Sequence, residues 1–441
     1  MPHDHPLRRS IQCAYANGGL WGVGSGMASV TLVAYFAREL NASGTAIGWI
    51  IATPALVGLL RLLTPLWLDR VASRRRFCVG MFLASSAAAA ALPALAAPGG
   101  WNDPRWSIVA LTSTWTAYQV LEQMAVIALW SWLGDLVPPP IRGRFIGRRE
   151  ACMTAGVVVG SLVAAAATWW WDKVCVDSEQ PELAWRSYAA CASFGAAMLA
   201  LATLPLTRMN ELPRRSSAAE SRVTLGDLLR PFADRRFRRF LFFGLWFSIA
   251  NGLIQTPRQI FLASVLQLQF AEKKALDGAS RGLQVLLLPW TGNVVDRRGS
   301  VPVLTLSWAI VAMAPAFLLL ASPAAPWWVV GAYACWIAYA GINVTFPNLM
   351  LGLSRPGETP AYAAAWFAWT QLAFALAVLG GGAALDWMSV HIAEGQFSGV
   401  RVDRFAVLFA LQWLLATAGI AVARQVPEPA GGDGSRSNRR G

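Results

Sequence analysis

"SVPVLTLSWAIVAMAPAFLLLASPAAPWWVVGAYACWIAYAGINVTFPNLMLGLS", residues 300–354, contains no Asp, Glu, Lys, Arg or His and breaks once, at Ser322-Pro323-Ala324-Ala325-Pro326. A helix that crosses the hydrocarbon of a bilayer needs about 20 mostly apolar residues, so this stretch holds two spans joined by a turn. The rest of the chain reads the same way. Its 441 residues are 56% hydrophobic and only 14% charged, too little polar side chain to coat a water-soluble globule of that size. Helices are expected near residues 14–37, 44–67, 77–97, 106–134, 150–171, 187–206, 240–266, 278–295, 301–321, 327–352, 361–386 and 405–423. The expected fold class is an all-α integral membrane protein with twelve transmembrane helices.

Short loops rich in Lys and Arg stay in the cytoplasm. If both termini are cytoplasmic, most of the 37 Lys and Arg fall on the inner side. The net charge of +13 is then a mark of topology, because the basic residues are spread over alternate loops and not gathered on one soluble face. Partners are expected to be a small-molecule substrate and the lipid bilayer, with no nucleic acid, in a monomer of the inner (cytoplasmic) membrane. The start, "MPHDHPLRRSIQCAYANGG", lacks an apolar segment followed by small residues suited to cleavage, so no removable signal peptide is expected. Cys13, Cys78, Cys152, Cys175, Cys191 and Cys335 show no paired spacing, so neither a disulfide framework nor a metal site is indicated. His3, His5 and His391 lie away from the spans, which leaves no intramembrane cluster for catalysis. Neither an enzyme activity nor a cofactor is expected.

The longest polar stretch, 207–239, divides the helices six and six. The expected domains are a bundle over 1–206, a cytoplasmic linker over 207–239, a second bundle over 240–424 and a tail over 425–441 with the composition of disorder. Within the linker, Arg235, Arg236, Arg238 and Arg239 stand among Phe232, Phe237 and Phe240, which suits either an amphipathic segment on the anionic inner leaflet or a solvated tether. The halves echo one another. "GLW" at Gly19–Trp21 recurs at Gly244–Trp246, and "LDRVAS" at Leu68–Ser73 is matched by "VDRRGS" at Val295–Ser300. Two like halves suit the parallel repeats of many secondary transporters.

Gly292-Asn293-Val294-Val295-Asp296-Arg297-Arg298-Gly299 fits a frame of glycine, three residues, Asp-Arg, one residue, glycine. The first half repeats the acid and basic cluster at Asp69, Arg70 and Arg74–Arg76, and "LGDLVPPPIRGRFIGRRE" at 133–150 adds a proline and Arg-Gly-Arg connection. With the spans, these motifs make the chain resemble the major facilitator superfamily. The resemblance implies two pseudo-symmetric six-helix bundles that rock about a midplane site. It also implies a cytoplasmic latch, formed by Asp69, Arg70, Arg74, Asp135, Arg142, Arg144, Gly292, Asp296, Arg297 and Gly299, that stabilises the state open to the outside. Physically, an acid at the inner end of one helix can accept hydrogen bonds from the N-terminus of a facing helix and pair with an arginine.

An ionisable group in hydrocarbon costs about 2.5 to 3.5 kcal/mol on insertion scales and usually faces a wet cavity. Thr112, Trp115, Tyr118, Gln119 and Glu122 recur at spacings of three and four, as do Ser248, Asn251, Gln255 and Arg258, so each set shares a helix face. Glu122 is the one carboxylate well inside a span, roughly 18 Å from the inner helix end, and is expected to carry the coupling proton. Arg258 lies roughly 27 Å from the start of its helix, which leaves a direct pair with Glu122 open, and suits a substrate anion or hydroxyl. Asn17, Trp21, Asn343, Asn348 and Gln371 are further candidates. Trp21, Trp115, Trp366 and Trp369 lie deep enough to stack on a sugar or aromatic solute. The expected function is secondary active transport of a small solute by alternating access, coupled to protons with sodium still open. The alternatives are a transporter-like sensor or an uncoupled facilitator for a sugar or amphipathic solute.

Overall fold

The computed structural model describes residues 5–60, 73–97, 104–137, 139–177, 183, 185–211, 230–355, 359–391, 395–397 and 400–429. In lipid every backbone N–H and C=O must be bonded within the protein, which leaves apolar segments little choice but helix. Nine helical stretches among the described residues are long and apolar enough to cross a membrane. In chain order the helices are α1 (His5–Met27), α2 (Val30–Glu39), α3 (Gly44–Gly58), α4 (Arg74–Leu95), α5 (Pro104–Leu136), α6 (Pro139–Asp177), α7 (Trp185–Leu201) and α8 (Thr203–Thr207). Then follow α9 (Arg230–Ala233), α10 (Arg235–Ile260), α11 (Phe270–Arg298), α12 (Ser300–Val311), α13 (Ala314–Leu320), α14 (Trp328–Trp336), α15 (Tyr339–Leu353), α16 (Thr359–His391) and α17 (Arg404–Ala423).

Several expected spans are each two helices. The first breaks between α1 and α2 at Ser29, which is extended at φ −85° and ψ 162°. The breaks at α12–α13 and α14–α15 are tight turns in which Met313 N–H donates to Ile310 and Ile337 N–H to Ala334, at 3.1 and 3.2 Å. Such three-residue hydrogen bonds keep the backbone paired where the helix kinks. The chain also holds an antiparallel hairpin, Gly395–Phe397 (β1) with Val400–Val402 (β2), which the all-helical expectation did not contain.

The chain forms two compact units. The first comprises Met1–Ser221 with Leu268–Ala279, and the second Arg222–Gln267 with Ser280–Gly441. In the first, α1 and α6 pack backbone to backbone. A Cβ on Gly156 would lie 2.3 Å from Gly19 O, and one on Gly160 2.3 Å from Val23 O. In the second unit α10 and α16 do the same, with Gly381 against Leu253 O at 2.0 Å. Small residues spaced one turn apart let membrane helices approach this closely.

The rings of Phe237 and Phe240 face the core of the second unit, while Arg235, Arg236, Arg238 and Arg239 are exposed. Phe237 and Phe240 are fully buried, Phe237 edge-on to Tyr362 at 4.7 Å and Phe240 stacked on Trp366 at 4.0 Å. Apolar rings at the start of α10 gain more by joining the core of the second unit than by entering a headgroup layer. Asp234 starts this helix. Its Oδ1 accepts from the N–H of Arg236 and Phe237 at 2.9 and 3.3 Å, and its Oδ2 from Arg355 Nε and the Tyr362 hydroxyl at 3.2 and 3.3 Å. Burial alone would raise its carboxyl, but these four donors outweigh it and hold Asp234 below the usual carboxylate range.

A carboxyl depressed in the folded state contributes stability above its ordinary value near pH ~4, and that contribution disappears as pH falls through the lower folded value. Asp234→Ala is therefore expected to cost about 1 kcal/mol at pH 7, as lost N-caps do. The gap to wild type should narrow below pH ~4. Thermal unfolding of both proteins in detergent across this range measures it, and a gap that stays constant with pH would contradict the capping role.

Candidate functional site

In the first unit Glu122 is 9% exposed and turns from α5 toward α1. Trp21 Nε1 donates to its Oε1 at 2.8 Å, and Tyr118 precedes Glu122 by one turn on the same helix. Both neighbours are neutral. Tyr118 in turn leans on Trp115, with ring centroids 5.2 Å apart. Trp115 is 2% exposed, and its Nε1 donates to Ile50 O of α3 at 2.9 Å, which is a helix-to-helix bond. Gln119 is half-buried on the same helix, and Thr112 Oγ1 bonds back to Ile108 O at 2.8 Å.

One turn before Trp21, Asn17 gathers Arg149, which lies just outside the span expected over 150–171. Helix α6 begins at Pro139 rather than near 150, so Arg149 is inside a helix and buried. Its Nη2 donates to Asn17 Oδ1 at 3.4 Å, and its guanidinium lies 4.9 Å over the Trp130 ring. Asn17 Nδ2 donates to Ala202 O at 2.9 Å. Asn17 and Trp21 share a face of α1, so the first unit sets a buried arginine and a buried glutamate along one wall.

The second unit assembles a different wall. Arg258 Nη2 donates to Gln255 Oε1 at 2.7 Å, and its guanidinium lies 4.5 Å over the Trp336 ring. Asn251 Nδ2 donates to Phe247 O at 2.9 Å while its Oδ1 accepts from the Tyr339 hydroxyl at 2.5 Å. Trp336 and Tyr339 were not foreseen. The usable signal is their spacing of three in the tenth expected span, ahead of Asn343. Helix α10 contains Pro257 and runs directly into a π-helical turn, Phe261–Val265, an irregularity common at functional sites.

Asn343 is exposed on α15. Trp366 is 4% exposed and fills a notch in which a Cβ on Gly244 would lie 2.3 Å from its ring, so it is a core residue of the second unit. Trp369 is half-buried and meets Phe232 edge-on at 5.6 Å.

Of the expected latch, Asp69 and Arg70 lie outside the described residues, as do the side chains of Asp135, Arg142 and Arg144. Arg74 opens α4, where its Nη1 donates to Ser131 O of α5 at 3.4 Å. Gly292, Asp296 and Arg297 end α11, Asp296 and Arg297 exposed, and Gly299 turns the chain at φ 88°. The acid at the N-terminus of α12 is Glu428. Its carboxylate accepts from Ser300 N–H and, at 2.9 Å, from Val301 N–H, while its carbonyl accepts from Arg236 Nη2 at 2.8 Å. Asp296 stands at the exposed end of the preceding helix, whereas the chain after α17 folds back to offer a carboxylate to free N–H groups. Glu428, assigned by composition to a disordered tail, is thus anchored. The first unit repeats the device: Glu211 accepts from Ser73 Oγ at 2.7 Å and from Arg75 N–H at 3.3 Å, at the start of α4.

Comparison with known proteins supplies the context for these walls. Residues 17–378 match the sequence profile of the Major Facilitator Superfamily. A search of curated protein sequences returned no significant match. Among solved structures, the chain is similar to the nucleoside transporter NupG, with a TM-score of 0.63 and 16% identity over 95% of this chain and 99% of that one. It is also similar to a D-xylose-proton symporter, with a TM-score of 0.66 and 14% identity over 97% and 99%. The inward-open xylose transporter XylE from E. coli aligns with a TM-score of 0.62 and 14% identity over 96% and 97%.

Proposed function

The chain belongs to the major facilitator superfamily and is a multi-pass membrane transporter, and from that premise we propose that it moves a small polar, ring-bearing solute by alternating access with a proton as coupling ion. The observation that carries the coupling is Glu122, a buried carboxyl that accepts from the neutral indole of Trp21 and stands one turn from the Tyr118 phenol. A carboxyl can change charge during a transport cycle while these neutral neighbours cannot. The solute is received in this reading by Asn251, Gln255, Arg258, Trp336 and Tyr339, which offer a planar fork of donors beside aromatic faces. Nucleosides and xylose, the solutes named for NupG and the xylose symporter, are of that chemical class. The likeness to those structures supports the fold, and the solute is inferred from the wall.

Adding α3, α5 and α11 to the nine apolar stretches gives twelve crossings, and the distribution of Lys and Arg favours cytoplasmic termini in the inner membrane. The latch of Asp69, Arg70, Arg74, Asp135, Arg142, Arg144, Gly292, Asp296, Arg297 and Gly299 belongs to this proposal, and Glu211 and Glu428 join it as acids that tie the ends of the halves to α4 and α12.

The test is counterflow of labelled nucleosides and sugars in proteoliposomes. A transporter exchanges label across the membrane, whereas a sensor binds without exchange. Arg258→Lys keeps the charge but loses the fork and the stacking on Trp336, so KM for the transported solute is expected to rise about tenfold, the worth of about 1.4 kcal/mol. Unchanged KM in that variant would remove Arg258 from the solute site.

A further inference from the structure

An apolar cavity between α6 and α7 in the first unit has no part in the transport reading. Its volume is about 470 Å³, within the range of ligand sites. Met27, Val163, Trp170, Ala190 and Phe194 line it, and the one cation in its wall is Arg186. Val163, Trp170 and Phe194 are 46%, 60% and 50% exposed and belong to apolar spans, so the cavity opens toward acyl chains. Arg186 is exposed at the second position of the 17-residue helix α7, at the positive end of that helix's dipole. From Arg186 to Phe194 the helix rises roughly 12 Å, close to the depth of one leaflet's hydrocarbon, about 15 Å. The neighbouring Trp171 donates its indole N–H to Leu183 O at 3.0 Å, as tryptophans at headgroup level do. An apolar slot one leaflet deep with a cation at its headgroup end has the form of an amphiphile's receptor.

We propose that this cavity binds a glycerophospholipid of the surrounding bilayer, one acyl chain in the slot and the phosphate on Arg186. The end of α6 nearby carries Asp172, Lys173 and Asp177, with Lys173 Nζ turned onto the Trp169 ring at 4.5 Å, so the phosphate is held by the Arg186 guanidinium itself and not by a broad positive field. The site is independent of Glu122 and Arg258.

Native mass spectrometry of the purified full chain, titrated with dioleoylphosphatidylglycerol, tests it. One lipid should be retained by the wild type, and Arg186→Gln should weaken its binding about tenfold, as loss of a charge-assisted hydrogen bond does. Ala190→Phe, at an exposed position, should weaken it by filling the slot. Dioleoylglycerol, which has the same chains and no phosphate, should not distinguish wild type from Arg186→Gln. Both variants should melt with the wild type when lipid is removed. Equal retention of phosphatidylglycerol by wild type and both variants would overturn the site, as would displacement of the lipid by the transported solute.

Discussion

Glu122→Gln is expected to abolish accumulation driven by a pH gradient while leaving exchange of labelled solute near the wild-type rate. Glutamine keeps an oxygen where Trp21 Nε1 donates at 2.8 Å and nearly the same volume, so the wall between α1 and α5 is preserved. Only the ability to change charge is lost. With one proton per solute, each pH unit supplies about 1.36 kcal/mol, or about tenfold accumulation. Wild-type vesicles should therefore concentrate solute about tenfold per imposed unit, and the variant should only equilibrate it. Uptake in proteoliposomes with and without the gradient reads this directly. A variant that still accumulates solute with unaltered pH dependence would remove the coupling role from Glu122 while leaving the transporter assignment intact.

The second large effect concerns two adjacent glycines of α16. Gly381→Ala is expected to lower the melting temperature sharply, and Gly380→Ala to leave it unchanged or raise it. A Cβ on Gly381 would lie 2.0 Å from Leu253 O and 2.9 Å from its carbonyl carbon. Backbone atoms of a packed helix cannot swing aside as a side chain can, so α10 and α16 must separate. Overpacking costs about 1–3 kcal/mol, occasionally more. A Cβ on Gly380 meets nothing within 4 Å, and alanine exceeds glycine in helix propensity by up to about 1 kcal/mol. Thermal unfolding of the two purified variants decides it. Equal melting temperatures would mean that the α10–α16 approach is not as close as the structure has it.

Membrane residence, the internal echo and the family were all legible in the chain, because hydropathy and charge act over short stretches and the bilayer reads them locally. Residues 300–354 needed no partner to be recognised as two spans. The periodicity that put Asn251, Gln255 and Arg258 on one face was equally local; in the fold Arg258 bonds Gln255 and stacks on Trp336, and Asn251 accepts from Tyr339. Aromatic depth was a weaker guide: the same apolar ring serves a ligand or a core. Trp366 went to the core because Gly244, more than a hundred residues away, leaves a notch for it.

Similarly, nothing near Glu428 in sequence says that it caps α12, nor anything near Arg149 that Asn17 and Trp130 receive it. The sequence by itself determined which segments lie in lipid and which polar side chains must be sheltered there. Only the tertiary structure decided which helix shelters each one, because that choice depends on where small residues allow two backbones to meet, and the contacting positions are far apart along the chain.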